Sequence, residues 1–132
     1  MFKVIMIGLG GFLGAIMRQL SSTYINSIAK TFHFPSGTFF VNMVGCFFIG
    51  FLSQLFFNRK IFSSEIESLI LIGFLGSFTT YSTFSKDSFK LIHNGETIIA
   101  ILNIGLHIIL GLFAVLLGIY ISNHFSNKKE VE

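Results

Sequence analysis

The sequence predicts an all-α membrane protein of four transmembrane helices, the third of them broken at mid-membrane. Three observations carry this reading. The 132 residues are 52% hydrophobic and 16% aromatic, and only 11% are charged, too few to clothe a water-soluble domain of this size. The apolar residues fall into four long segments, each matching the roughly 20 residues that cross a hydrocarbon core. One segment carries a run of hydroxyls, "GSFTTYSTFSKD", at its midpoint. Four spans with short loops use up the chain, so a single four-helix transmembrane domain is expected over residues 1–132.

The spans are expected near 3–27, 36–57, 64–93 and 97–123. The first follows Met1-Phe2-Lys3, a start with the flavour of a signal peptide, but no A-x-A-like cleavage site comes after it. The second opens at Pro35-Ser36, because proline is tolerated only in a first turn. Asn58-Arg59-Lys60 closes it with cations that suit a helix carboxyl end. Ser64 and Glu67 have the S-x-x-E spacing of a capping box for the third segment, and Asn94-Gly95 ends it. The fourth runs into a short solvated tail, Asn127-Lys128-Lys129-Glu130.

Hydroxyl side chains compete with the backbone for hydrogen bonds, and Gly73 and Gly76 weaken a helix further. The third segment therefore reads as two half-helices joined by unwound chain from Gly76 to Thr80. The alternative is a continuous helix whose hydroxyls bond back to their own carbonyls. Irregular backbone at membrane depth survives only inside protein or beside a wet cavity.

The net charge of +3 is small and scattered, which points to neither nucleic acid nor an acidic partner. Lys3, Arg59, Lys60, Lys128 and Lys129 fall on one side of the membrane and Lys30, Lys86 and Lys90 on the other. Five against three is a weak orientation bias. It allows one product to insert both ways and form an antiparallel dual-topology dimer, and equally suits one of two complementary chains. Cys46 stands alone in an apolar run and reads as a packed small residue.

Several residue patterns offer chemistry. Gly8, Gly11 and Gly14 are spaced for close helix packing. Arg18 is the only strong cation well inside a span, and it needs a partner, a vestibule or snorkelling. Thr38, Asn42 and Gly45 share one face of the second helix, and Asn103, His107 and Gly111 repeat that pattern on the fourth. With Ser82 and Thr83 these stripes form a polar track of hydrogen-bond donors. Glu65, Glu67, Asp87, Glu96, Glu130 and Glu132 are read as lying at or beyond helix ends, leaving the track free of acid. Tyr81 and Phe84, at i and i+3, flank the break, and an aromatic ring turns a positive edge toward an anion. Unwinding also frees carbonyls from Gly76 to Thr79, the type of oxygen that binds sodium at helix breaks in transporters.

The strings "GGFLGAIMR", "GTFFVNMVGCFFIG", "GFLGSFTTYSTFS" and "GLFAVLLG" cover all four spans and resemble the small fluoride channels of the Fluc (CrcB) type. The resemblance implies an antiparallel dimer with two fluoride pores, a structural Na+ at its centre, and passive efflux of cytoplasmic fluoride across the inner (plasma) membrane. It implies a pore role for Asn42 and Thr38, carbonyl ligation of sodium by Gly76 and Thr79, and ring contacts from Tyr81 and Phe84. Ser82 and Thr83 fill the hydroxyl pair between the rings, and Arg18 falls at an aqueous vestibule. Two positions depart from the family pattern. Tyr81 replaces a phenylalanine, and His107 replaces a small hydroxyl, where a protonated imidazole would make transport sensitive to pH. Both leave room for a heterodimer with a sister chain and one silent pore.

Among rivals, a small multidrug-type exporter also has four helices and dual topology, but export of cations coupled to protons needs a membrane carboxylate. An intramembrane serine protease would pair Ser77 with His107, yet no G-x-S-G run exists. A non-transporting assembly protein explains the glycines and not the alternation of rings and hydroxyls. A channel, not an enzyme, is the expectation.

Overall fold

The structure, a computed structural model, describes residues 1–29, 33–59 and 62–127. Lys30, Lys60, Lys128 and Lys129, half of the charges weighed for orientation, lie outside the described residues, as do Glu130 and Glu132. All the described secondary structure is helical. Helix α1 spans Phe2–Ile28 and α2 spans Ser36–Arg59. The third segment starts with Ser64–Glu67, widens into a π-helix over Ser68–Leu75, and closes with a last turn, Gly76–Phe78. This run, residues 64–78, is α3. Helix α4 spans Tyr81–His93 and α5 spans Thr97–Asn127. Three of these, α1, α2 and α5, are long and apolar enough to cross a membrane.

Local chemistry explains the ends. Gly95 takes φ +80°, a conformation that glycine adopts freely, and turns the chain from α4 into α5. The cap of α3 is Ser63, whose Oγ accepts from the Ile66 N–H at 3.5 Å. The sequence reading put this cap at Ser64. A serine one position earlier, with extended backbone, is the one whose oxygen can reach the third amide of the helix.

Helices pack where side chains are missing. Gly10 of α1 lies against the Leu69 carbonyl and Gly73, and Gly14 lies against the Phe74 backbone, so α1 and α3 run parallel. The expected register of Gly8, Gly11 and Gly14 is corrected here: Gly8 faces open space, and the contact uses the i, i+4 pair Gly10 and Gly14. The most extensive contact joins α2 to α5. Gly50 meets the Val115 backbone, Gly118 meets Phe47, and Phe39 stacks edge-on against His107 at 5.1 Å, so this pair is parallel too.

The interior is unusually polar. Thr38, Asn42, Ser68, Thr80, Ser88, Asn103 and Ser122 are buried, while Phe12, Ile16, Leu20, Ile101, Ile108, Leu112 and Leu116 are exposed. Apolar outside and polar inside is the arrangement that lipid favours and water does not.

Substituting Gly10 with leucine forces a branched side chain into the Leu69 carbonyl and should destabilise the purified protein by about 1–3 kcal/mol or more. Gly8→Leu, with nothing nearby, should leave the melting temperature in detergent almost unchanged.

Candidate functional site

Between Phe78 and Tyr81 the chain leaves helical geometry. Thr79 has φ −83° and ψ 157°, and Thr80 has φ −151° and ψ 116°. The expected unwinding from Gly76 is corrected: Gly76–Phe78 stay helical, because the Thr79 N–H and its Oγ1 both donate to the Leu75 carbonyl and hold that turn closed. The two extended residues are tied down from α2. Thr80 N–H donates to Asn42 Oδ1 at 2.8 Å, and Asn42 Nδ2 donates to the Thr80 carbonyl at 3.1 Å. A flipped amide would set donor against donor, so the backbone dictates its orientation. Asn42 and Thr80 are only 8% and 7% exposed. Thr80 Oγ1 then caps α4 by accepting from Thr83 N–H at 3.2 Å.

A cavity of about 360 Å³ opens beside this break, lined in part by Asn42, Gly76, Thr79, Tyr81, Phe84 and His107. Tyr81 and Phe84 have ring centroids 5.6 Å apart, and Phe84 lies 4.4 Å from the His107 ring. His107 Nδ1–H donates to the Asn103 carbonyl at 2.9 Å, the only role a ring nitrogen can take against a carbonyl. Its Nε2 is buried without a partner among the described residues. Asn103, 0% exposed, donates from Nδ2 to Ser88 Oγ at 2.9 Å, and Ser88 Oγ donates to the Phe84 carbonyl at 2.9 Å. This relay fastens α5 to α4.

A second cavity of about 350 Å³ is polar, with Asn26, Thr38, Asp87 and Lys90 in its wall. At its rim His33 Nδ1 and Glu96 Oε1 meet at 2.7 Å and join the chain before α2 to the start of α5.

A sequence model of the family described as CrcB-like protein, Camphor Resistance (CrcB), matches residues 5–119 of this chain. The chain belongs to the CrcB family. It is 40% identical over 118 residues to "Fluoride-specific ion channel FluC 1" of Methanosarcina acetivorans, across 89% of this chain and 88% of that one. It is similar to "Fluoride-specific ion channel FluC" of Hydrogenovibrio crunogenus, 40% identical over 123 residues, 93% of this chain and 92% of the other. The FluC of Maridesulfovibrio salexigens is 43% identical over 118 residues, 89% and 92% of the two chains. Membership in CrcB and three apolar helices make this a multi-pass membrane protein.

The CrcB-family chain brings Asn42, Tyr81, Phe84 and His107 to one cavity and leaves other expected residues apart. Ser82 is exposed and Thr83 half-buried, and Thr80 Oγ1 bonds to both hydroxyls. Thr38 lies in the second cavity and donates to Asp87 Oδ2 at 2.6 Å. Arg18 is half-buried, has no hydrogen-bond or ion-pair partner among the described residues, and lines neither cavity. Ser77 sits against α1 at Gly11, so it does not face the break.

Asp87 is the plain correction. It was expected at or beyond a helix end but lies in the middle of α4, beside a buried threonine. The break starts the helix at Tyr81, which puts Asp87 at the centre of Tyr81–His93 rather than near the end of one long span. Ser88 was missed outright. Tyr81, Phe84 and Ser88 share a face at i, i+3 and i+7, a periodicity that would have found it.

Among the described residues, Ser88→Ala removes the only side-chain partner of buried Asn103, whose Oδ1 already lacks one. The expected loss is about 1–3 kcal/mol of stability, read from detergent melting, and adding Asn103→Leu should recover much of it.

Proposed function

We propose that this chain is a fluoride-selective ion channel giving passive efflux of fluoride from the cytoplasm. The observation that carries the reading is the cavity at the Thr79–Thr80 break, where amide, hydroxyl and ring edge converge, in a chain at least 40% identical to relatives named fluoride-specific channels.

A bare small anion entering a low-dielectric medium loses tens of kcal/mol of hydration, so several contacts must replace its water together. Asn42 keeps one amide hydrogen beyond the bond to Thr80. Ser82 and Thr83 add hydroxyls, and the edges of Tyr81 and Phe84 add positive ring hydrogens. Thr38, whose own hydrogen goes to Asp87, stands in the adjoining polar cavity of the path. Asn103 holds His107 so that only Nε2 is left for the pathway. A neutral Nε2 offers a lone pair to an anion and a protonated one offers a hydrogen, so passage through this pore depends on pH. Arg18 acts at the aqueous entrance, where its charge raises the local anion concentration.

The functional unit is an antiparallel dual-topology dimer with two pores, built from two copies or from this chain and a sister chain. Residues 64–93 form its third span, broken near mid-membrane, and α5 its fourth. Tyr81, 80% exposed, and Gly76, also exposed, lie on the open side where a partner would sit. A structural Na+ at the dimer centre is held by the carbonyls of Gly76 and Thr79. The donor chemistry fits: peptide oxygens suit a hard cation, and the Thr80 N–H that a continuous helix would offer to the Gly76 carbonyl donates to Asn42 instead. The surrounding lipid is that of the inner membrane.

Protein reconstituted in liposomes should release fluoride and retain chloride when a potassium ionophore clamps the voltage. Phe84→Ala should slow fluoride release by about tenfold or more, as expected when one of a few desolvating contacts is lost. Equal leakage of both halides overturns the reading. In the same assay the wild type should respond to acidification between neutral and mildly acid pH, and His107→Ser should abolish the response.

A further inference from the structure

We propose that Asn42 is a positioning residue for the cation site as well as a pore contact, so that one side chain couples the anion path to the cation. The proposal rests on the channel reading above and concerns what this chain's own residues do to the carbonyl set.

Asn42 pairs with Thr80 as one strand pairs with another, accepting from the N–H and donating to the carbonyl of a single residue at 2.8 and 3.1 Å. Both partners are buried, so water does not compete for either bond. The first bond takes the N–H that would close the helix on the Gly76 carbonyl. The same bond fixes the direction of the Thr79 carbonyl, because that C=O and the Thr80 N–H share one planar peptide unit, and the second bond holds the next unit through the Thr80 carbonyl. Helix α2 touches the break at a second point. Gly45, on the same face and one turn on, lies against Cγ2 of Thr79, where any β-carbon would collide. The two contacts hold the extended pair from α2, one by its backbone and one by its side chain.

Without Asn42, the Thr80 N–H has a free carbonyl four residues back. The chain can then wind into a continuous helix that occupies the Gly76 oxygen. Loss of Asn42 should therefore lower sodium affinity even though the amide does not touch the cation. Gly45→Ala should do the same while leaving every polar group of the anion path in place.

The test is sodium-dependent melting of the purified full chain in detergent, titrating NaCl against choline chloride at constant ionic strength, with fluoride absent. The wild type should gain thermal stability as sodium rises. Asn42→Asp, which keeps the acceptor but sets a carboxylate against the Thr80 carbonyl, should need about tenfold more sodium for half the gain, the effect of losing one buried hydrogen bond. Gly45→Ala, whose β-carbon displaces Thr79, should raise the sodium requirement likewise. Phe84→Leu should retain the wild-type sodium response while slowing fluoride release. Wild-type sodium affinity in both α2 variants overturns the proposal and leaves Asn42 a pore contact only. Melting of the wild type that is blind to sodium also overturns it, yet leaves fluoride conduction standing, since conduction is judged separately by halide release from liposomes. If Asn42→Asp does not fold, Gly45→Ala decides alone.

Discussion

The structure depends on one pair of hydrogen bonds, the exchange between the Asn42 amide and the backbone of Thr80. Extended backbone inside an apolar surround leaves N–H and C=O groups that nothing nearby would otherwise satisfy. An asparagine side chain carries the same donor and acceptor as a peptide and can stand in for the missing strand. Because that amide belongs to α2, the break in the third segment is a property of two elements. The flanking hydroxyls finish the repair, with Thr79 closing the turn behind and Thr80 capping the helix ahead.

The rest of the molecule serves the same constraint. Parallel pairs, α1 with α3 and α2 with α5, approach at Gly10, Gly14, Gly50 and Gly118, where backbone meets backbone. Such close contact leaves room for small polar side chains in the centre and pushes large apolar ones outward. The buried polar set is threonine, serine and asparagine, beside apolar residues such as Val41, Phe56 and Phe78, and Thr38, Asn42 and Asn103 bond across elements. Buried polar groups bonded in this way fix the relative position of helices more narrowly than apolar packing against lipid can, because lipid is as good a neighbour as leucine.

Much of this was legible in the sequence, for identifiable reasons. Gly95 betrayed the turn before α5 because only a left-handed conformation wants glycine beside asparagine there. The stripe of Thr38, Asn42 and Gly45 was visible from spacing. What spacing could not reveal was the direction in which a side chain donates. Asn42 looked like lining for a passage, while most of its capacity goes to the backbone of a residue 38 positions away. Asp87 was misplaced although a break was expected, because its position was judged against the end of the whole 64–93 segment and not against the start of the second half-helix. The glycine register on α1 slipped because the partner surface is a π-helix, whose wider turn no local pattern announces.

That wide turn gives α3 a tolerance which the straight helices lack. A π stretch holds a surplus of chain relative to an α-helix of the same rise. A single-residue deletion within Ser68–Leu75 can be absorbed by tightening, with Ser64 and the Thr79–Thr80 junction kept near their neighbours. The same deletion in α5 would spin everything beyond it by about 100° and carry Asn103 and His107 off the seam. The π stretch can therefore take up a change of length that the straight helices cannot.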